Sequence, residues 1–124
     1  MRAVAWKLTV RAGSEVERSR YDKLDDALDA LEERARTLAE EAGGRVVDVK
    51  FRRFEPAEQV IARLELSGPE RLVPKVRAGV DVHGDGSTEA YLGHVKRDVV
   101  KPGKRDTTYS ALRRALTSDG GKAR

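Results

Sequence analysis

Alternation of apolar and polar residues is clearest between Val73 and Val100, where it predicts one long β-hairpin that turns at Asp85-Gly86. A two-residue turn at these positions makes Val80 the cross-strand partner of Tyr91. One face of the hairpin is then apolar and is expected to belong to the core, with Val76, Val80, Tyr91 and Val95. The other face is polar and mostly basic, with Lys75, Arg77, Gly79 and Asp81 opposite Lys96, His94, Leu92 and Ala90. A slip of one residue in one strand would mix the two faces, so the pattern favours this register.

The first third of the chain predicts two strands and a long helix. Residues 3–11 alternate, Gly13-Ser14 offers a turn, and residues 16–20 predict a short edge strand that places Trp6 opposite Tyr21. Residues 22–42 predict a helix, because Leu24, Leu28, Leu31, Ala35, Leu38 and Ala42 recur at the spacing of one buried stripe. Gly43-Gly44 is expected to end this helix.

The remaining segments complete a predicted α+β domain. Residues 45–54 and 59–66 alternate and predict a second pair of strands before the long hairpin. Asp106 or Thr107 is expected to cap a last short helix with Tyr109, Leu112 and Leu116 on its apolar stripe. The order β-β-α-β-β-β-β-α predicts a two-layer sandwich, in which a curved antiparallel sheet carries one long and one short helix on one face. We expect a single domain over residues 1–117 and a flexible tail over residues 118–124.

Length and composition narrow the class of protein. A chain of 124 residues without cysteine fits one cytoplasmic domain that contains no disulfide or zinc–thiolate site. No apolar run is long enough for a membrane span, and the first residues do not resemble a signal peptide. The net charge of +4 arises in the C-terminal quarter, which raises the expectation of an acidic partner, nucleic acid included.

Two charged surfaces are candidate functional sites. The basic one combines the polar hairpin face with the loop before the last helix, whose free N–H groups attract anions: Lys75, Arg77, His94, Lys96, Lys101, Lys104 and Arg105. It offers no aromatic side chain for base stacking, so any nucleic acid would be recognised by its backbone or shape. The acidic one lies on the long helix and could dock a basic partner, hold a divalent cation weakly, or simply be solvated: Asp22, Asp26, Asp29 and Glu33.

No catalytic, cofactor or metal site is predicted. His83 and His94 are too far apart on the hairpin to share a metal ion, and the glycines near Asp85 and Lys104 lack the spacing of phosphate-binding loops. No serine lies in a GxSxG elbow. We therefore expect the protein not to be an enzyme.

The last helix opens with Asp106-Thr107-Thr108-Tyr109-Ser110-Ala111-Leu112, after a strand, a helix and further strands. In topology alone this order is similar to ribosome-binding hibernation factors and double-stranded-RNA-binding folds, with one extra strand before each helix. The sequence favours a non-catalytic interaction or assembly module that forms homo-oligomers or binds another protein through the exposed sheet face or the acidic helix. The alternatives are a backbone- or shape-reading nucleic-acid (RNA) binding protein and a small-ligand cup between sheet and helix.

Overall fold

A six-stranded antiparallel sheet with two helices on one face forms the domain, which confirms the predicted fold class and order of elements. The computed structural model describes residues 5–48, 59–68, 76–93 and 98–122. The strands follow the order β2-β1-β3-β4-β5-β6 across the sheet. The elements are β1 Trp6–Ala12, β2 Glu15–Tyr21, α1 Leu24–Asp48, β3 Val60–Gly68, β4 Val76–His83, β5 Thr88–Leu92, β6 Asp98–Val100 and α2 Thr108–Lys122.

The core lies between the sheet and the two helices. Alternate side chains of each strand point into it, and those of β1, β3 and β4 are almost fully buried: Leu8, Val10, Ala62, Leu64, Leu66, Ala78, Val80 and Val82. From α1, the predicted stripe contributes Leu28, Leu31, Ala35, Leu38 and Ala42, and from α2 come Tyr109, Leu112 and Leu116. The periodicities of two and 3.6 residues therefore identified the buried sides of these elements correctly.

The first hairpin has the predicted register. Trp6 pairs with Tyr21, and Leu8 pairs with Ser19. Gly13 adopts a φ of +62° in the turn, which a glycine accepts without a steric penalty. β1 also pairs with β3, so that β2 is left as an edge of the sheet.

The predicted end of the long helix is wrong. α1 continues through Gly43-Gly44 to Asp48, so residues 45–48 are helical rather than part of a strand, and residues 49–54 lie outside the described residues. A Cβ on Gly86 of the β4–β5 turn would lie 2.8 Å from the Ala39 carbonyl oxygen and 3.3 Å from the Gly43 Cα. Gly43 thus lies inside the helix, at the point where the turn comes closest to the helix backbone.

The predicted register of the long hairpin is also wrong by one residue. Val80 pairs with Ala90, and Gly79 pairs with Tyr91. The loop has three residues, Gly84-Asp85-Gly86, because the His83 N–H donates to the Ser87 carbonyl oxygen and thereby pairs these two residues at the end of the hairpin. Within the loop, the Gly86 N–H donates to the His83 carbonyl oxygen, and Gly86 takes a φ of +90°. Asp85 reinforces this loop by accepting from the Ser87 N–H at 2.9 Å and from the Ser87 hydroxyl at 2.6 Å.

The shift exchanges the two faces of the return strand. Ala90, predicted on the polar face, is buried against the helices, and Tyr91, predicted in the core, lies on the opposite face. Tyr91 is nevertheless buried, because its ring covers Gly79: a Cβ there would lie 2.5 Å from the tyrosine hydroxyl. The return segment, predicted as one strand, forms two, β5 and β6. The total of six strands agrees with the prediction, but the prediction reached six by counting a strand over residues 45–54.

Candidate functional site

The sheet face opposite the helices is open, and its charge is unevenly distributed. On β1 and β2 this open face carries four cationic side chains, which we call the basic strip: Lys7, Arg11, Arg18 and Arg20. Within these two described strands the other side chains on the open face are Thr9 and Val16, so no carboxylate accompanies the cations there. Successive side chains of β2 point to opposite faces of the sheet, so Glu15 and Glu17 lie on the helix side while Arg18 and Arg20 lie on the open face. The carboxylates of β2 are thereby separated from its open-face cations.

Cations of the basic strip are direct neighbours. Lys7 lies opposite Arg20, and Arg18 lies opposite Thr9. Opposed side chains in antiparallel strands have Cβ atoms roughly 4.5–5.5 Å apart, and like charges in that position destabilise the sheet. Among the described residues, Lys7, Arg11 and Arg18 make no hydrogen bond or ion pair. Their charges are therefore available to an anion.

Cations elsewhere on the open face are matched by carboxylates. Arg63 on β3 donates to the buried Asp81 on β4, with Nε to Oδ1 at 2.9 Å. The Nη1 atom of Arg77 on β4 lies 3.7 Å from the Oε2 atom of Glu65 on β3. Glu89 on β5 is exposed and lies opposite Asp81. The open face consequently changes from basic at β2 and β1 to balanced at β3 and β4 and acidic at β5.

The basic surface predicted from the sequence is only partly within the described residues. Arg77 lies on the open face as expected, in its ion pair with Glu65. The loop between β6 and α2 presents three exposed cations, Lys101, Lys104 and Arg105. Lys75, His94 and Lys96 lie outside the described residues, so this surface stays a prediction. β6 and β2 are opposite edges of the sheet, and five strand spacings of roughly 4.8 Å separate that loop from the basic strip by about 24 Å.

The N-terminus of α2 is capped by its own side chains. Thr107 is the cap residue: its hydroxyl accepts the Ser110 N–H at 3.0 Å, and the Ser110 hydroxyl accepts the Thr107 N–H at 2.9 Å. Asp106 accepts from Arg114 at 2.5 Å and from the Gly103 N–H at 2.8 Å. The Arg114 guanidinium, followed by the Gly103 N–H and the Ser110 hydroxyl, lowers the pKa of Asp106 below its usual value. An anionic carboxylate therefore already lies at the helix end where we expected an external anion.

The acidic face of α1 is exposed but partly engaged inside the molecule. Asp22, Asp26, Asp29 and Glu33 are all exposed. Arg113 of α2 donates to Asp29 at 2.8 Å and to the neighbouring Asp25 at 2.9 Å, which links the two helices. Docking of a basic partner at this face remains a prediction, and such a partner would compete with Arg113.

Two further features could hold a small ligand or an ion. An open cleft of about 800 Å³ lies between the β1–β2 turn, α1 and the start of β3, where Leu38 and Ile61 are surrounded by charged Arg11, Glu15 and Arg34. His83 ends β4 on the open face, and its buried Nδ1 atom has no hydrogen-bond partner. Within the described ranges, no three histidine or carboxylate side chains are grouped closely enough to hold a metal ion.

The basic strip was missed at the sequence level although its signal was present. The predicted pairing of Trp6 with Tyr21 already places Lys7 opposite Arg20. What the sequence did not reveal is that the described cations of β3 and β4 pair with carboxylates, whereas Lys7, Arg11 and Arg18 make no ion pair among the described residues.

The sequence matches no protein-family model, no curated protein and no solved structure. Neither helix contains an apolar stretch, among the residues that the structure describes, that is long enough to cross a membrane.

Proposed function

We propose that this chain is a non-catalytic nucleic-acid-binding protein that contacts the phosphate backbone through the basic strip. The observation that carries the proposal is the set of four cations on the open face of β1 and β2 without a carboxylate on that part of the face in the described strands. Phosphate contacts by lysine and arginine supply most of the affinity of sequence-independent binding. A bound phosphate would also relieve the repulsion between Arg18 and its diagonal neighbours Lys7 and Arg11.

The composition of the surface favours recognition of the backbone over recognition of bases. Base stacking needs an accessible aromatic ring. Tyr91, the aromatic residue that the described strands place on the open face, is buried over Gly79. We therefore expect binding that depends strongly on salt and weakly on sequence.

Self-association, which the sequence favoured, has less support from the charges. Two open faces brought together around a twofold axis at the basic strip would oppose cations. Pairing of two β2 edges centred on Glu17 or Arg18 would place identical charges opposite each other, and charged edge strands discourage such pairing. β6, the other edge, has only three residues. Homo-oligomer formation and a protein partner at the acidic face of α1 stay predictions.

Fluorescence anisotropy with labelled duplex RNA, duplex DNA and single-stranded RNA at 50 and 200 mM salt tests the proposal. We expect micromolar or tighter binding at low salt and a loss of affinity of at least tenfold at high salt. The variant Arg11→Gln/Arg18→Gln removes two charges that make no hydrogen bond or ion pair with any residue the structure describes, and it should weaken binding at low salt about tenfold or more. The control Lys101→Gln/Lys104→Gln removes the same charge from the loop before α2.

The outcomes separate the candidate surfaces. Weaker binding by the strip variant with little change in the loop control supports the proposal. Equal losses in both variants would refute the assignment to the basic strip, because they would show that the loop or the net charge governs binding. Absence of binding to every nucleic acid at 50 mM salt would refute the function itself.

A further inference from the structure

We infer that the basic strip contacts one backbone strand of a double helix, and that this strand follows β1 and β2 over about three phosphates. This inference deepens the proposed function and rests on it. It concerns the direction and length of the contact, which follow from where the cations and carboxylates lie on the open face. It also commits to a duplex, because the described part of the open face offers no accessible ring on which single-stranded bases could stack.

The cations of the basic strip are arranged one after another along the direction of β1 and β2. Lys7 and Arg20 mark one end, Arg18 follows two residues further along, and Arg11 follows two residues after that. From Lys7 to Arg11 the strand advances four residues, or about 13 Å at the usual rise. Along one backbone strand of B-form DNA, successive phosphates lie about 7 Å apart, because the strand winds around the axis while it rises about 3.4 Å per nucleotide. Lys7, Arg18 and Arg11 follow one another at intervals of two residues, or about 6.6 Å, and therefore match about three successive phosphates.

Across the sheet the charge changes sign within a short distance. On β3 the neighbours of Thr9 and Arg11 are Glu65 and Arg63, whose charges balance, and the open face of β5 carries the exposed Glu89. β5 lies three strand spacings from β1, about 14 Å away. A phosphate strand that crossed the sheet would pass these carboxylates, whereas one that follows β1 and β2 would meet cations throughout.

The two edges of the sheet supply a matched pair of test positions. Val16 lies on the open face of β2, opposite Arg11, and its side chain is 42% exposed. Val99 lies on the open face of β6 at the other edge and is 49% exposed. Val16→Lys adds a cation to the basic strip, and Val99→Lys adds the same charge at the far side of the face.

Salt titration of duplex binding measures the number of phosphates contacted. We expect a slope of log K against log salt of about −2.7 for the unmodified protein on duplex DNA, from three contacts at about 0.9 each. Val16→Lys should steepen the slope by about 0.9 and tighten binding about five- to tenfold at 0.1 M salt, while Val99→Lys leaves both unchanged. Circular dichroism of each variant verifies that the fold is retained.

Failure of this inference is distinguishable from failure of the proposed function. If Val16→Lys and Val99→Lys tighten duplex binding equally, the orientation along β1 and β2 is refuted while nucleic-acid binding stands. A single strand that binds better than the duplex at equal phosphate concentration refutes the commitment to a double helix. If poly-glutamate competes as well as duplex DNA at equal charge, or if no nucleic acid binds, the partner class itself is refuted.

Discussion

Gly43 and Gly86 meet where the β4–β5 turn approaches α1, and alanine substitutions at these positions should change stability in opposite directions. Gly86 has a φ of +90°, a conformation that costs a residue with a Cβ about 1–2 kcal/mol. Its Cβ would lie 2.8 Å from the Ala39 carbonyl oxygen, and overpacking of this kind costs about 1–3 kcal/mol. Gly86→Ala should therefore lower the free energy of unfolding by about 2–5 kcal/mol.

Gly43→Ala should stabilise the protein. A Cβ at Gly43 would be 3.8 Å from the Asp85 carbonyl oxygen, an ordinary contact. Inside a helix, alanine is favoured over glycine by about 0.8–1.0 kcal/mol. If α1 ended at Gly43 in a left-handed conformation, as the Gly43-Gly44 pair suggested, the same substitution would instead cost about 1–2 kcal/mol. The sign of the change thus decides whether the helix continues through Gly43.

Urea unfolding followed by circular dichroism measures both effects. With a slope of about 1–3 kcal/mol per molar urea, Gly86→Ala should lower the midpoint by about 1 M or more, and Gly43→Ala should raise it by a few tenths of a molar. Gly86→Asn separates the two costs, because asparagine tolerates positive φ but keeps the Cβ contact. A neutral Gly86→Ala or a destabilising Gly43→Ala would refute the packing of the turn on α1.

Three further predictions address other contacts, each measured by urea unfolding. Gly79→Ala should lower the free energy of unfolding by about 1–3 kcal/mol, because its Cβ would overlap the Leu64 carbonyl oxygen and lie 2.5 Å from the Tyr91 hydroxyl. An unchanged midpoint would contradict the close packing of Leu64 and Tyr91 around this glycine. Arg113→Ala should lower the free energy of unfolding by only about 0.5–1 kcal/mol, because its two carboxylate partners are 81% and 71% exposed. This loss should become smaller in 1 M salt, and a loss of equal size at low and high salt would contradict an electrostatic link between the helices. Ionised Asp106 stabilises the folded state, because its folded pKa lies below the ordinary aspartate value of about 3.9. This stabilisation is present above that pH and is lost as pH falls through the folded pKa. The difference in unfolding free energy between the unmodified protein and Asp106→Asn should therefore shrink on acidification below about pH 4, and a difference that is constant from pH 6 to pH 2.5 would contradict the assignment.

Local patterns were sufficient to predict most of the architecture. The alternation in β1 and β2 fixed their register, because a shift would have moved Leu8 and Val10 out of the core. The leucine and alanine stripe of α1 identified its buried side for the same reason. These predictions succeeded because each depends on one element and the single layer against which it packs.

The errors occurred where one short sequence is compatible with two local structures. Asp85-Gly86 suits a two-residue turn, and it equally suits a three-residue loop in which Gly86 alone takes positive φ. Gly43-Gly44 resembles a helix stop, yet Gly43 lies within α1 where Gly86 packs against it. In both cases tertiary contact between the turn and the helix, which are far apart in the sequence, determines the structure.

Charge pairing explains why the two basic regions differ in their availability to an anion. The C-terminal quarter holds the sequence's excess of positive charge, but Arg113 and Arg114 there form ion pairs with carboxylates. The first hairpin holds four cations and two acids, a small excess, but alternation sends the acids to the helix side, where Glu17 pairs with Arg34. Net charge along the sequence therefore did not point to the first hairpin, and the basic surface that it did point to in the C-terminal part of the chain stays a prediction. An anion responds to the local field of unpaired charges on one face, so the first hairpin should bind more strongly than its composition suggests.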